Sequence, residues 1–142
     1  MSEAVCPAGE VEIADKMLTT LLVSKEDSSF KGFVSGLRQR GDNEVLSTSS
    51  CNKALQIIKE RPVDMVIVDE ELSDMSGLQF VRKLVTVNPL INCAVVSSLS
   101  AEDFHEESEG LGVFMQLPLK PREKDAEVLM RKFSKIADLM NL

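Results

Sequence analysis

Three apolar runs in this chain end on groups able to do chemistry. Asp69 closes the run Met65-Val66-Ile67-Val68. A carboxylate there can accept hydrogen bonds, ligate a hard cation or act as an oxygen nucleophile. Ser24-Lys25-Glu26-Asp27 follows the run Leu21-Leu22-Val23, and Ser97-Ser98 follows Ala94-Val95-Val96. The run before Asp69 has no polar alternation, so it reads as a strand buried on both faces, as in a parallel sheet. In open α/β sheets, ligands collect at the carboxyl ends of strands. Asp69 is therefore the leading candidate. A lone Asp at a strand end is also an ordinary turn former, so the surrounding pattern has to decide.

That pattern alternates strands and helices. Met17 to Val23 reads as the first strand. Ser28 is placed to cap a helix with Phe30, Phe33, Val34 and Leu37 on one face, closed by Gly41. Gly32 and Gly36 weaken that helix and would let it lie close to the sheet. Glu44 to Thr48 is a second strand, and Ser49 or Ser50 caps a helix with Ala54, Leu55 and Ile58 inward, stopped at Arg61-Pro62. The strand ending at Asp69 comes third. Ser76 caps a helix carrying Leu78, Val81, Leu84 and Val85. Ile91 to Val96 is the fourth strand, and Ser100 with Asp103 opens a fourth helix. Its segment, AEDFHEESEG, has Phe104 as its one large apolar residue, so it should be short, mobile or irregular. Val113 to Leu117 is the fifth strand, and a last helix from Pro121 carries Leu129, Phe133, Ile136 and Met140. Five strands alternating with five helices give an α/β fold, a doubly wound five-stranded parallel sheet with helices on both faces. Residues 1–16 read as a tail and 17–142 as one domain.

From about residue 17 onward the chain resembles the receiver domains of bacterial two-component response regulators, a flavodoxin-like architecture. The resemblance rests on Asp69, Leu72, Met75 and Gly77, with Ser73 and Ser76 where the family usually has Pro and an acid. It implies that Asp69 is the phosphoacceptor. Ser97 would be the hydroxyl that bonds the phosphoryl group, and the backbone carbonyl of Glu71 a metal ligand. An active receiver also ends its first strand in an acidic pair holding Mg²⁺. Here Ser24-Lys25 stands there, and Glu26 and Asp27 come one step late. An ammonium cannot ligate Mg²⁺, so Lys25 is expected to pair with Asp69 in the cation's place. Glu26 offers a weak metal site at best, and Mg²⁺ binding is expected to be weak or absent. The family's Lys-Pro after the fifth strand has two registers here. If Gly110 precedes the strand, Leu117-Pro118 replaces the pair and the lysine is lost. If Gly112 does, Lys120-Pro121 is the pair and the strand holds one extra residue. The loss already seen at Lys25 favours an absent or displaced lysine.

Composition bounds the rest. The chain has 142 residues and a formal net charge of −7, which argues against nucleic acid and against an anionic membrane surface. Residues 1–10 lack the basic and apolar segments of a signal peptide. Three cysteines without paired spacing read as reduced thiols of a cytoplasmic protein. The single histidine, His105, has no nucleophile to serve. No Gly-rich phosphate loop is present, so nucleotide binding has no support. Two function classes follow from the resemblance. One is a phosphorelay receiver, not an enzyme, taking a phosphoryl group on Asp69 from a histidine kinase or phosphotransfer protein and switching a surface read by a downstream protein. The other is a degenerate pseudo-receiver that binds partners without phosphorylation. A hydrolase with an Asp nucleophile ranks third. No output domain is legible after the last helix, and a homodimer stays open.

Overall fold

A computed structural model describes residues 18–140 of this chain except 40 and 42. The tail expected over residues 1–16, together with Met17 and Cys6, lies outside the described residues. Five strands pair in parallel in the order β2-β1-β3-β4-β5. They are β1 Leu18–Val23, β2 Asn43–Thr48, β3 Met65–Val68, β4 Asn92–Val96 and β5 Val113–Leu117. Five α-helices alternate with them: α1 Lys31–Arg38, α2 Cys51–Glu60, α3 Gly77–Val87, α4 Ala101–Ser108 and α5 Glu123–Met140. The doubly wound α/β fold expected from the sequence is the fold observed.

β3 is the centre because both its faces are apolar. Met65, Val66, Ile67 and Val68 are each fully buried. Val66 and Val68 face one core with Cys51, Ala54 and Ile58 of α2, Phe80, Val81 and Leu84 of α3, and Phe104 of α4. Met65 and Ile67 face the other with Phe33 and Leu37 of α1 and Leu129, Met130 and Phe133 of α5. Full burial of such a side chain contributes about 1.5–3 kcal/mol. The period-2 alternation of β3 therefore holds the two helical layers on opposite sides.

The helix starts divide into those the sequence marks and those it misleads on. Ser50 caps α2 by accepting from the Lys53 amide. Ser76 and Gln79 make a reciprocal capping box at α3, and Ser100 accepts from the Asp103 amide at α4. Ser28 does not cap α1. Its hydroxyl donates to Glu26 Oε1, and that of Ser29 to the Glu26 carbonyl, so both are turned backward. A 3-10 turn, Asp27–Phe30, comes first, and α1 starts at Lys31 without a side-chain cap. Gly36 lets α1 approach α5 rather than the sheet: a Cβ there would stand 2.9 Å from the Ala126 Cβ. α4 is short, as its composition demands, yet regular. Phe104 anchors it, and Arg82 of α3 reaches the carbonyl and carboxylate of Glu107.

Gly77 has the tightest requirement. A Cβ on it would lie 2.2 Å from the Asp69 carbonyl oxygen and 3.1 Å from Val68 Cγ1. The start of α3 thus rests directly on the backbone of the residue at the end of β3. Gly77→Ala is expected to cost roughly 1–3 kcal/mol, the range for overpacking, measured by urea unfolding. A variant as stable as the parent would show that α3 starts elsewhere.

Candidate functional site

The parallel register delivers Asp69 to the mouth of the sheet. Val23 pairs with Val68, so the next residues, Ser24 and Asp69, meet beyond the strand ends. The Asp69 amide donates to the Val23 carbonyl. Its half-buried carboxylate is held at both oxygens: Oδ1 accepts from the Glu70 amide at 2.8 Å, and Oδ2 accepts from Ser24 Oγ at 3.0 Å. Ser24 is itself buried and accepts from the Glu26 amide at 3.1 Å. The hydroxyl thus bridges the carboxylate to the turn after β1.

The expected Lys25–Asp69 ion pair does not form. Lys25 is exposed, the chain bends at it, and its side chain lines a hollow with Ser47, Thr48 and Ser49. That hollow lies towards β2, whereas Asp69 lies towards β3, on the other side of β1. The physical reason is one of magnitude. Ser24 is set in place by the sheet register. Lys25 would have to order a long side chain, at roughly 2 kcal/mol of rotamer entropy, for an exposed pair worth about 0.2–1 kcal/mol.

Lys120 does not reach the site either. Gly112 directly precedes β5, and Cys93 pairs with Val113 while Ala94 pairs with Met115. Phe114 is therefore an extra residue in a β-bulge, as the Gly112 register requires. Yet β5 still ends at Leu117, which is fully buried and accepts from the Ser97 amide. Lys120 comes three residues later, exposed, in the left-handed region with φ 51°. The place beside Ser97 is filled by leucine.

Mg²⁺ needs near-octahedral oxygens, with one or two carboxylates among them. The described residues fit it poorly. Asp69 supplies one carboxylate, already bonded on both oxygens. Glu71 is exposed. The paired hydrogen bonds around its bridge to Ser76 run from Leu72 to Met75 and from Gly77 to Glu70, leaving the Glu71 carbonyl out of them. Glu26 is exposed and takes the Ser28 hydroxyl. Among the described residues, no three acidic, His or Cys side chains gather to hold a metal. Both described thiols are buried. Burial, then the Asp74 hydrogen bond, pushes Cys51 up to about 11, and burial pushes Cys93 up to about 12. Both shifts disfavour the thiolate, the form that binds metals and attacks electrophiles.

Around Asp69 lies a hydrogen-bond network that sequence reasoning missed. Glu70 Oε2 accepts from the Ser98 amide at 2.6 Å and the Ser98 hydroxyl at 2.8 Å. Buried Ser97 accepts from the Leu99 amide at 3.1 Å. From β5, the Gln116 amide donates to the Ser97 carbonyl at 3.2 Å and the Leu99 carbonyl at 2.8 Å. Two side chains from different elements thus staple the loop after β4 on either side. Removing Glu70 leaves the Ser98 amide without its charged acceptor. Glu70→Ala should therefore speed hydrogen exchange at Ser98 roughly tenfold, with about 1 kcal/mol lost in global stability. Unchanged exchange there would mean that the loop is held without Glu70.

The comparisons with known proteins bear on this geometry. The family model described as response regulator receiver domain matches residues 20–130. No curated protein matches. Among solved structures, a two-component response regulator from Clostridium difficile superposes with a TM-score of 0.73 at 18% identity, covering 89% of this chain and 100% of that one. A chemotaxis response regulator of Vibrio cholerae gives 0.71 at 17%, covering 83% and 99%. An uncharacterized protein from Neptuniibacter caesariensis gives 0.75 at 22%, covering 89% and 93%. At these identities the structures establish the shared fold. The family match spans most of the chain, and this chain belongs to the response regulator receiver domain family.

Proposed function

We propose that this chain is a receiver of two-component signalling that works as a phosphorylation-independent interaction module, not an enzyme. The observation that carries the reading is the Ser24–Asp69 hydrogen bond, 3.0 Å. Phosphoryl transfer to a carboxylate depends on cations that neutralise the oxygens in the transition state. The acidic place beside Asp69 holds a neutral hydroxyl. Lys25 is exposed and not ion-paired with Asp69, and buried Leu117 occupies the end of β5. The Asp69 pocket therefore offers a nucleophile with little electrophilic help. The stapled loop after β4 would hold the partner-reading side of the domain in one state. Its partners would be signalling proteins, a histidine kinase or phosphotransfer protein on one side and a downstream protein on the other, in the cytoplasm. No helix among the described residues is long and apolar enough to cross a membrane.

A second reading keeps Asp69 as phosphoacceptor, with Ser97 assisting and Mg²⁺ weakly bound. It draws support from the half-exposed Asp69 carboxylate at the strand mouth and from buried Ser97 one strand over. Intact-protein mass after incubation with acetyl phosphate separates the two. The proposed reading expects no Asp69-dependent adduct, with or without Mg²⁺. A Mg²⁺-dependent phosphoryl adduct that disappears in Asp69→Asn would overturn it.

A further inference from the structure

A hollow of about 540 Å³ opens between α1 and β2, away from Asp69. That volume falls within the roughly 300–1,000 Å³ range of small-molecule sites. Its cause lies in how α1 is held. Gly36 draws the helix onto Ala126 and Glu123 of α5, and Gln39 gives its amide to Glu123 at 3.0 Å. The other flank of α1, towards β2, is left underfilled. The floor there is Leu22, Val34 and Val45, and the two valines are too short to close the gap. Val34 and Val45 stay half-buried against the core.

The rim is polar and cationic. Lys31 and Arg38 both line the hollow and both are exposed. They stand seven residues apart on one helix, about 10 Å along its axis. Hydroxyls come from Ser28, Ser35 and Ser47, and among the described side chains no carboxylate lines the hollow. Two carboxylates are brought near by lining side chains: Glu123, engaged by Gln39, and Glu26, engaged by Ser28. In a chain with 23 acidic and 16 basic residues, two cations on one rim are a local concentration of positive charge among the described side chains. Through Ser47 the hollow adjoins the separate one that Lys25 lines.

We propose that this hollow binds a small amphipathic oxyanion: a phosphate or carboxylate head on an apolar ring or short chain. The head meets the guanidinium of Arg38 or the ammonium of Lys31 through charge-assisted hydrogen bonds. The body rests on Leu22, Val34 and Val45, where it removes apolar surface from water. The site is independent of the state of Asp69, so the two proposals stand or fall separately.

The test is a titration of the whole ¹⁵N-labelled chain with phenyl phosphate, benzoate, inorganic phosphate and benzyl alcohol, followed by amide shifts. Phenyl phosphate or benzoate should move the amides of Val34, Ser35, Val45 and Ser47 and leave those of Asp69 and Ser97 in place. Inorganic phosphate and benzyl alcohol, each lacking half of the chemistry, should bind more weakly. Replacing both rim cations by glutamine, Lys31→Gln with Arg38→Gln, should weaken phenyl phosphate about tenfold or more. Spectra elsewhere should be unchanged, since both side chains are exposed. Absence of shifts along α1 and β2 at millimolar ligand with both organic anions would overturn the proposal. So would equal binding by the double variant, or equal binding of benzyl alcohol, which would leave an apolar hollow without anion recognition.

Discussion

The local structure at the sheet mouth depends on how one carboxylate is compensated. Asp69 sits at the end of a strand buried on both faces, so its charge stands at the edge of a low-dielectric core. A carboxylate so placed requires donors or cations. This chain supplies donors: the Ser24 hydroxyl and the amide of Glu70. Both are fixed by the backbone, one by the β1–β3 register and one by the turn after β3. They cost little additional entropy, and a hydrogen bond to a charged group contributes roughly 1.5–3 kcal/mol. That satisfies the resting anion. It provides little for the larger charge that develops when a phosphoryl group is transferred.

The same economy of backbone-fixed partners extends to the neighbouring strand. The Ser98 hydroxyl is donated to a carboxylate, whereas that of Ser97 only accepts, so its O–H stays available to donate. Ser97 accepts from Leu99, and Ser98 is taken up by Glu70. Gln116 completes the loop's support from β5. A switch needs a segment with two arrangements of comparable energy that a ligand can bias. Here Glu70 and Gln116 hold the loop after β4 in one arrangement. On the proposed reading, the missing acids and the stapled loop act together to hold the receiver fold in one state.

Much of this was legible in the sequence, and the rest was hidden for identifiable reasons. The alternation of strands and helices, the central strand and the place of Asp69 follow from apolar runs and turn residues, which are local signals. So do the caps at Ser50, Ser76 and Ser100. The expected pairing of Lys25 with Asp69 did not form. Where a long side chain points is decided by entropy against a weak exposed attraction, and sequence spacing carries neither term. The β5 bulge at Phe114 left two registers open, because a strand's apolar pattern does not count the residues its neighbour uses. Ser28 looked like a cap and became part of a turn, since Glu26 outcompeted the helix for its hydroxyl. The Glu70–Ser98 contact did leave a signal: each stands one residue after the named site residue of its strand, and β3 and β4 are adjacent.

The central claim is that hydrogen bonding by Ser24 replaces metal neutralisation at Asp69. The most direct measurement is calorimetric titration of Mg²⁺ into the parent chain and into the variant Ser24→Asp with Lys25→Asp. The first substitution removes the hydroxyl that bonds Asp69, and together they place carboxylates where two oxygen ligands are missing. The account expects no resolvable Mg²⁺ binding by the parent at millimolar metal and clear binding by the variant. Equal Mg²⁺ affinity in the two proteins would contradict it, because the parent would then hold the ion without the acids that the geometry says it lacks.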